Sequence, residues 1–91
     1  MFLIVAYDIA DDGRRLRVAT TLKDYGERVQ RSVFECLLDE RKLQSLIREV
    51  TPLIELEEDS IRLYRLCEGC RKVIQVYGQG VVTEDQDVFI V

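Results

Sequence analysis

The first residue that could carry chemistry is Asp8, which follows an unbroken apolar run over residues 2–7. A carboxylate placed directly after a central strand sits at the edge of a sheet, where a metal ion or ligand can reach it. The competing reading is an exposed Asp that shapes the turn into the next element, although Asp11 and Asp12 are better placed for that task. The chain contains no histidine. That removes Ser-His-Asp and Cys-His catalysis, haem ligation by His and every zinc site built on imidazole. Acid–base chemistry must come from carboxylates, Lys, Tyr, Cys or a metal-bound water.

Arg14, Arg15 and Arg17 lie within one helical turn and splay over more than one helix face. Guanidinium forks match phosphate oxygens bidentately, which Lys cannot do. The ordinary alternative is a solvated face with partners among Asp11, Asp12 and Glu27. Cations are disfavoured at the positive end of a helix dipole, so their placement there argues for a functional reason. Cys67-Glu68-Gly69-Cys70 raises zinc or redox chemistry. One such pair is half a structural zinc site, and Cys36 adds only a third thiolate. The pair is expected in a connection between strands rather than at a helix start, so a tight turn using Gly69 is the preferred reading. Tyr7, Phe34, Tyr64 and Tyr77 could stack on bases, yet a small core needs a few aromatics for itself.

The elements that must position these residues follow from composition and pattern. Ninety-one residues make one domain, 1–91, with 79–91 as a C-terminal extension. With 47% hydrophobic and 33% charged residues, five Gly and one Pro, the chain is neither disordered nor repetitive. Its net charge of −4 offers nucleic acid no long-range attraction. Residues 13–31 nevertheless carry six basic side chains (Arg14, Arg15, Arg17, Lys23, Arg28, Arg31) against two acidic ones (Asp24, Glu27). A local basic stripe of this kind can meet phosphate. The apolar run is too short to span a membrane and lacks the marks of a signal peptide. Three cysteines, an odd number, suit a reducing compartment. A cytoplasmic protein is expected.

Residues 2–7 read as a strand buried on both faces. Asp11-Asp12 start a helix over 13–25, carrying Leu16, Ala19, Leu22 and Tyr25, with Gly26 as its stop. Residues 28–38 are extended, as one kinked strand or as a hairpin turning at Arg31-Ser32. Asp39 caps a second helix with Leu43, Leu46, Ile47 and Val50 on one face, and Pro52 ends or kinks it. Residues 60–66 and 73–77 read as an antiparallel pair joined by 67–71, and 88–91 as a last strand. The expected architecture is α+β, a ferredoxin-like βαββαβ sandwich with an additional short C-terminal strand. Two helices cover one face of such a sheet, whereas the first strand is apolar on both. A second copy is the simplest cover, so a homodimer with sheets packed face to face is expected.

The segment Tyr7-Asp8-Ile9-Ala10-Asp11-Asp12-Gly13-Arg14-Arg15-Leu16-Arg17, then Tyr25-Gly26, then Arg28-Val29-Gln30-Arg31-Ser32-Val33-Phe34-Glu35, resembles the second family of CRISPR-associated proteins. These are small nuclease-like subunits of the spacer-acquisition machinery. The likeness covers nearly all of the first 40 residues and extends to Asp59-Ser60-Ile61-Arg62 at the start of a strand. It implies a dimer in which Asp8 of each copy faces its counterpart across a two-fold axis and binds a divalent metal, Mg2+ or also Mn2+. It implies metal-dependent phosphodiester hydrolysis on single-stranded RNA or double-stranded DNA in some members. It also implies an integrase partner, with the dimer bridging two integrase units beneath a duplex. Tyr7, Arg15, Arg17, Arg28, Ser32 and Phe34 fall where the family contacts phosphate or shapes the site. The resemblance assigns Cys67 and Cys70 no role. A metal-dependent endonuclease is therefore the main expectation and a non-catalytic DNA-binding bridge the alternative. A metabolite-binding regulatory dimer is least favoured, since no Gly-rich phosphate loop is present.

Overall fold

The N-terminal apolar run forms the central strand β1 (Phe2–Asp8) of a four-stranded sheet in the computed structural model, which describes residues 1–84. The chain continues through α1 (Asp12–Leu22), β2 (Gly26–Gln30), β3 (Val33–Leu37), α2 (Glu40–Val50), a single 3-10 turn at Thr51–Leu53, β4 (Ser60–Leu66) and α3 (Glu68–Lys72). The sheet order is β2-β3-β1-β4, with β1 antiparallel to both neighbours. Two split β-α-β units thus interlock, which is the ferredoxin-like topology. No helix among the described residues is long and apolar enough to cross a membrane.

Strand alternation assigns the faces. Leu3, Val5 and Tyr7 join Phe34 and Cys36 of β3 against Val18, Ala19 and Leu22 of α1 and Leu43, Leu46 and Val50 of α2, all within one buried cluster. Each fully buried aliphatic side chain contributes roughly 1.5–3 kcal/mol. Ile4 and Ala6 face the other way and remain half-buried. Both long helices start where their caps dictate. Asp11 and Asp39 are extended N-caps whose side chains accept the backbone N–H of Arg14 and Lys42, each at 2.8 Å.

The structure corrects several expectations. Of the two alternatives for 28–38 the structure shows the hairpin, with a bulge between Arg28 and Gln30, and Val29 is exposed. The first helix ends at Leu22, and Leu16 is 66% exposed because the buried face is set by Val18, Ala19 and Leu22. Residues 73–77 are not a strand. Cys67 caps α3, and the chain beyond it is irregular, leaving Val73, Val76 and Tyr77 exposed. Gly78 and Gly80 take φ of 96° and 117°, a region open to glycine without strain. The segment then reaches the hairpin side of the sheet, where the Thr83 N–H donates to the carboxylate of Glu35 at 2.9 Å. The last expected strand, 88–91, lies outside the described residues.

Gly26 opens β2 against β3 so closely that a Cβ there would collide with the Glu35 carbonyl and the Cys36 sulfur. Gly26→Ala is expected to destabilise the fold by about 1–3 kcal/mol through forced separation of the hairpin strands. Urea denaturation measures this, and an unchanged midpoint would mean that the strands part freely.

Candidate functional site

Asp8 is the last residue of β1, in register with Ser60 of β4. It belongs to the same face as Ile4 and Ala6 and is exposed, without a hydrogen-bond partner among the described residues. The loop that follows is pinned by Arg15. Its guanidinium donates to the carbonyls of Ile9 at 3.0 Å and Ala10 at 3.2 Å and pairs with Asp12. Arg15 therefore holds still the backbone directly after Asp8.

Arg14 is turned inward. Its Nε donates to Asp59 Oδ2 at 2.8 Å, and its Nη2 donates to Asp59 Oδ1 at 3.2 Å and to Glu58 at 3.0 Å. The Asp59 side chain is fully buried and also accepts the Glu55 N–H at 2.9 Å. The guanidinium and that N–H hold the Asp59 carboxyl below the usual carboxylate range, and the same contact raises Arg14 further. The pair ties α1 to the start of β4, beside the Asp8–Ser60 register. Arg14, expected at the nucleic-acid surface, thus commits its Nε and Nη2 donors to Asp59 and Glu58 in a structural role. Arg17, two helical positions from Arg15, is exposed and makes no hydrogen bond or ion pair among the described residues.

A second group converges at the hairpin turn. The Arg31 carbonyl accepts the Tyr7 hydroxyl at 3.2 Å and two donors of Arg28, at 3.0 and 2.6 Å. The Ser32 carbonyl accepts the Tyr7 N–H at 3.1 Å. The Arg28 guanidinium carbon lies 5.9 Å from the centre of the Phe34 ring, and that ring lies 6.4 Å from Tyr7. Phe34 is fully buried and Tyr7 nearly so. Burial leaves neither ring free to stack on a base, whereas Arg28 is exposed and Ser32 half-buried. Tyr7, Asp8, Arg28, Ser32 and Phe34 are thus brought to one end of the sheet.

Sequence reasoning missed Asp59 as the residue that fixes α1 next to Asp8. Its only signal was an acidic side chain immediately before a strand. Glu35 was missed as well: it is a buried carboxylate in a strand pattern that reads as apolar.

No group of three or more Cys, Asp and Glu side chains able to hold a metal occurs among the described residues. Asp8 belongs to no such group among the described residues. Mg2+ retains several waters and accepts one or two carboxylates, so an exposed carboxylate such as Asp8 suits its ligand chemistry.

Three comparisons match this picture. The family model described as CRISPR associated protein Cas2 matches residues 1–74. The chain is 44% identical over 93 residues to CRISPR-associated endoribonuclease Cas2 1 of Chloroflexus aurantiacus, covering 100% of both chains. It superposes on the crystal structure of Streptococcus pyogenes Cas2 with a TM-score of 0.77 at 32% identity, covering 86% of this chain and all of the other. It also superposes on a chain of a partial Cas6-RT-Cas1–Cas2 complex with a TM-score of 0.66 at 29% identity, covering 82% and 88%.

Proposed function

The chain belongs to the CRISPR associated protein Cas2 family, the small nuclease-like subunit of the spacer-acquisition machinery, and from that premise we propose that it acts as a dimeric DNA-binding bridge beside the integrase. The observation that carries this reading is the imbalance of the site. Arg17 on α1 and Arg28 on β2 are exposed, and Asp8 belongs to no group of three or more metal-binding side chains among the described residues. Such an arrangement neutralises phosphates along a duplex without requiring hydrolysis. The solved chain within a Cas1-containing complex supports the integrase as partner.

A dimer closes the sheet face bearing Ile4 and Ala6. Arg15 then keeps the Asp8 loop rigid, and the Arg14–Asp59 pair keeps α1 in place so that Arg17 of each copy is presented at a fixed spacing. Metal-dependent endonuclease activity is the second reading. The position of Asp8 on the dimerising face favours it, because two carboxylates would meet there and share Mg2+ or Mn2+. A divalent cation so held supplies an acidified water and polarises a phosphoryl oxygen. The RNA or DNA strand would lie against Arg28 and Ser32 in either reading.

Duplex binding followed by fluorescence anisotropy tests the bridge. Arg17→Ala and Arg28→Ala are each expected to weaken binding about three- to tenfold on every sequence alike, and to make the salt dependence shallower. Asp8→Asn should bind within about twofold of the parent, since it removes no phosphate contact. Loss of binding or of integrase assembly in Asp8→Asn would overturn the bridging role. Chelator-sensitive hydrolysis that vanishes in Asp8→Asn would add the nuclease reading to it.

A further inference from the structure

Cys67 and Cys70 stand apart from the arginine edge, and nothing in the nucleic-acid reading uses them. Cys67 is the extended N-cap of α3, with φ −70° and ψ 166°, and its sulfur accepts the Cys70 N–H at 3.3 Å. A cap residue and the third residue of its helix lie about one turn apart, so the two thiols share one side of that turn. Both are exposed, whereas Cys36 is buried in the core, where burial pushes its thiol up to about 11. The pair is internally polarised. Donation from the Cys70 N–H holds Cys67 below the ordinary thiol range, and the neighbouring Cys67 sulfur raises Cys70. An open cleft of about 750 Å3 bordered by Phe2, Leu37, Leu66 and Arg71 reaches Cys67. Zinc would need two further ligands, and no third metal-binding side chain joins the pair among the described residues.

We propose that Cys67 and Cys70 form a thiol–disulfide exchange site for low-molecular-weight disulfides, with Cys67 as the attacking and Cys70 as the resolving thiol. The Cys67 thiolate attacks one sulfur of the small disulfide. A Cys67–sulfur bond forms, the disulfide bond breaks, and one small thiolate leaves and takes a proton from water. Cys70 then loses its proton to solvent and attacks the Cys67 sulfur, which closes the Cys67–Cys70 bond and releases the second small thiol. Two protein thiols are oxidised and one disulfide is reduced to two thiols. The ring closes next to Arg71, whose guanidinium donates to the Thr83 carbonyl at 2.7 Å and to Glu68 at 3.1 Å and lies 5.3 Å from the Phe2 ring. The exchange site therefore sits at the root of the segment that reaches Glu35.

Treatment of the full chain with oxidised glutathione, followed by alkylation and intact-mass and peptide analysis, tests the site. The expected product is two hydrogens lighter, with a Cys67–Cys70 link and with Cys36 alkylated only after unfolding. Cys70→Ser should stop at the mixed disulfide on Cys67. Cys67→Ser, which retains a capping side chain, should react at least about tenfold more slowly than the parent. A Cys67→Ser protein reacting at the parental rate would overturn the assignment. So would a parent that accumulates the mixed disulfide without closing it, or one that stays reduced in a large excess of oxidised glutathione.

Discussion

Replacing Arg14 with Met is expected to lower Tm by on the order of 10 °C, a larger effect than at any neighbouring arginine. The loss comes from the partner. Asp59 has no exposed side-chain surface, and it would keep only the Glu55 N–H. A carboxylate left buried without its cation is far more costly than a surface pair lost to solvent. Arg15→Met removes contacts to the part-buried Ile9 carbonyl, the exposed Ala10 carbonyl and exposed Asp12, and leaves no buried charge alone, so its effect should be a few degrees at most. Adding Asp59→Asn to Arg14→Met should recover part of the loss, because the amide can still accept from Glu55 and no longer needs a cation. The pH dependence has a definite sign. The folded-state carboxyl of Asp59 is lowered relative to the unfolded chain, so its stabilisation is present above the ordinary Asp value of 3.8 and is lost as pH falls through the lower, folded value. The parent should therefore show a steep acid transition in that window, and Arg14→Met a shallower one. Differential scanning calorimetry at several pH values measures both, and equal acid slopes would detach Asp59 from the effect.

The elements that were legible in the sequence carry their own signals. β1 is one unbroken apolar run, α1 and α2 begin at acidic caps, and β4 was placed at its observed bounds, Ser60–Leu66. Asp8 could be singled out because its position after β1 depends on the strand alone. α3 was missed because a five-residue helix is too short to display a 3.6-residue period, and Gly69 within it imitates a turn. Residues 73–77 alternate like a strand, but β4 is the sheet's edge and no further strand pairs with it among the described residues. The inward turn of Arg14 could not be read from local spacing, since Asp59 lies 45 residues away. The burial of Phe34 and Tyr7 beneath Arg28 likewise depends on the hairpin, whose turn at Arg31-Ser32 lacks the glycine that usually marks one.

Tyr64→Asp is expected to convert the proposed dimer to monomers at micromolar concentration, weakening self-association by about 100-fold or more. Within one protomer the change is mild. Tyr64 is 46% exposed, and its hydroxyl only accepts a 3.3 Å bond from Arg62. Substitutions at such positions usually stay within about 0.5 kcal/mol, so Tm of the dilute protein should hold. Its surroundings explain the selectivity. Tyr64 lies in register with Ile4 on the face that the long helices leave uncovered, and half-buried Ala6, Val33, Leu37 and Leu66 belong to the neighbouring strands. Two copies meeting on that face would bury two new carboxylates, each with only Arg62 of its own strand beside it, against half-buried apolar side chains. Asp8 is on the same face at the end of β1, so a monomer would separate the two carboxylates of the proposed shared metal site. It also halves the arginines available to one duplex. Tyr64→Asp should therefore show roughly half the parental salt slope in duplex binding, whereas Tyr64→Phe should keep the parental slope. Light scattering that finds an unchanged dimer mass for Tyr64→Asp would move the interface elsewhere. The Asp8 pair and the paired arginine edges would then lose the geometry that joins them.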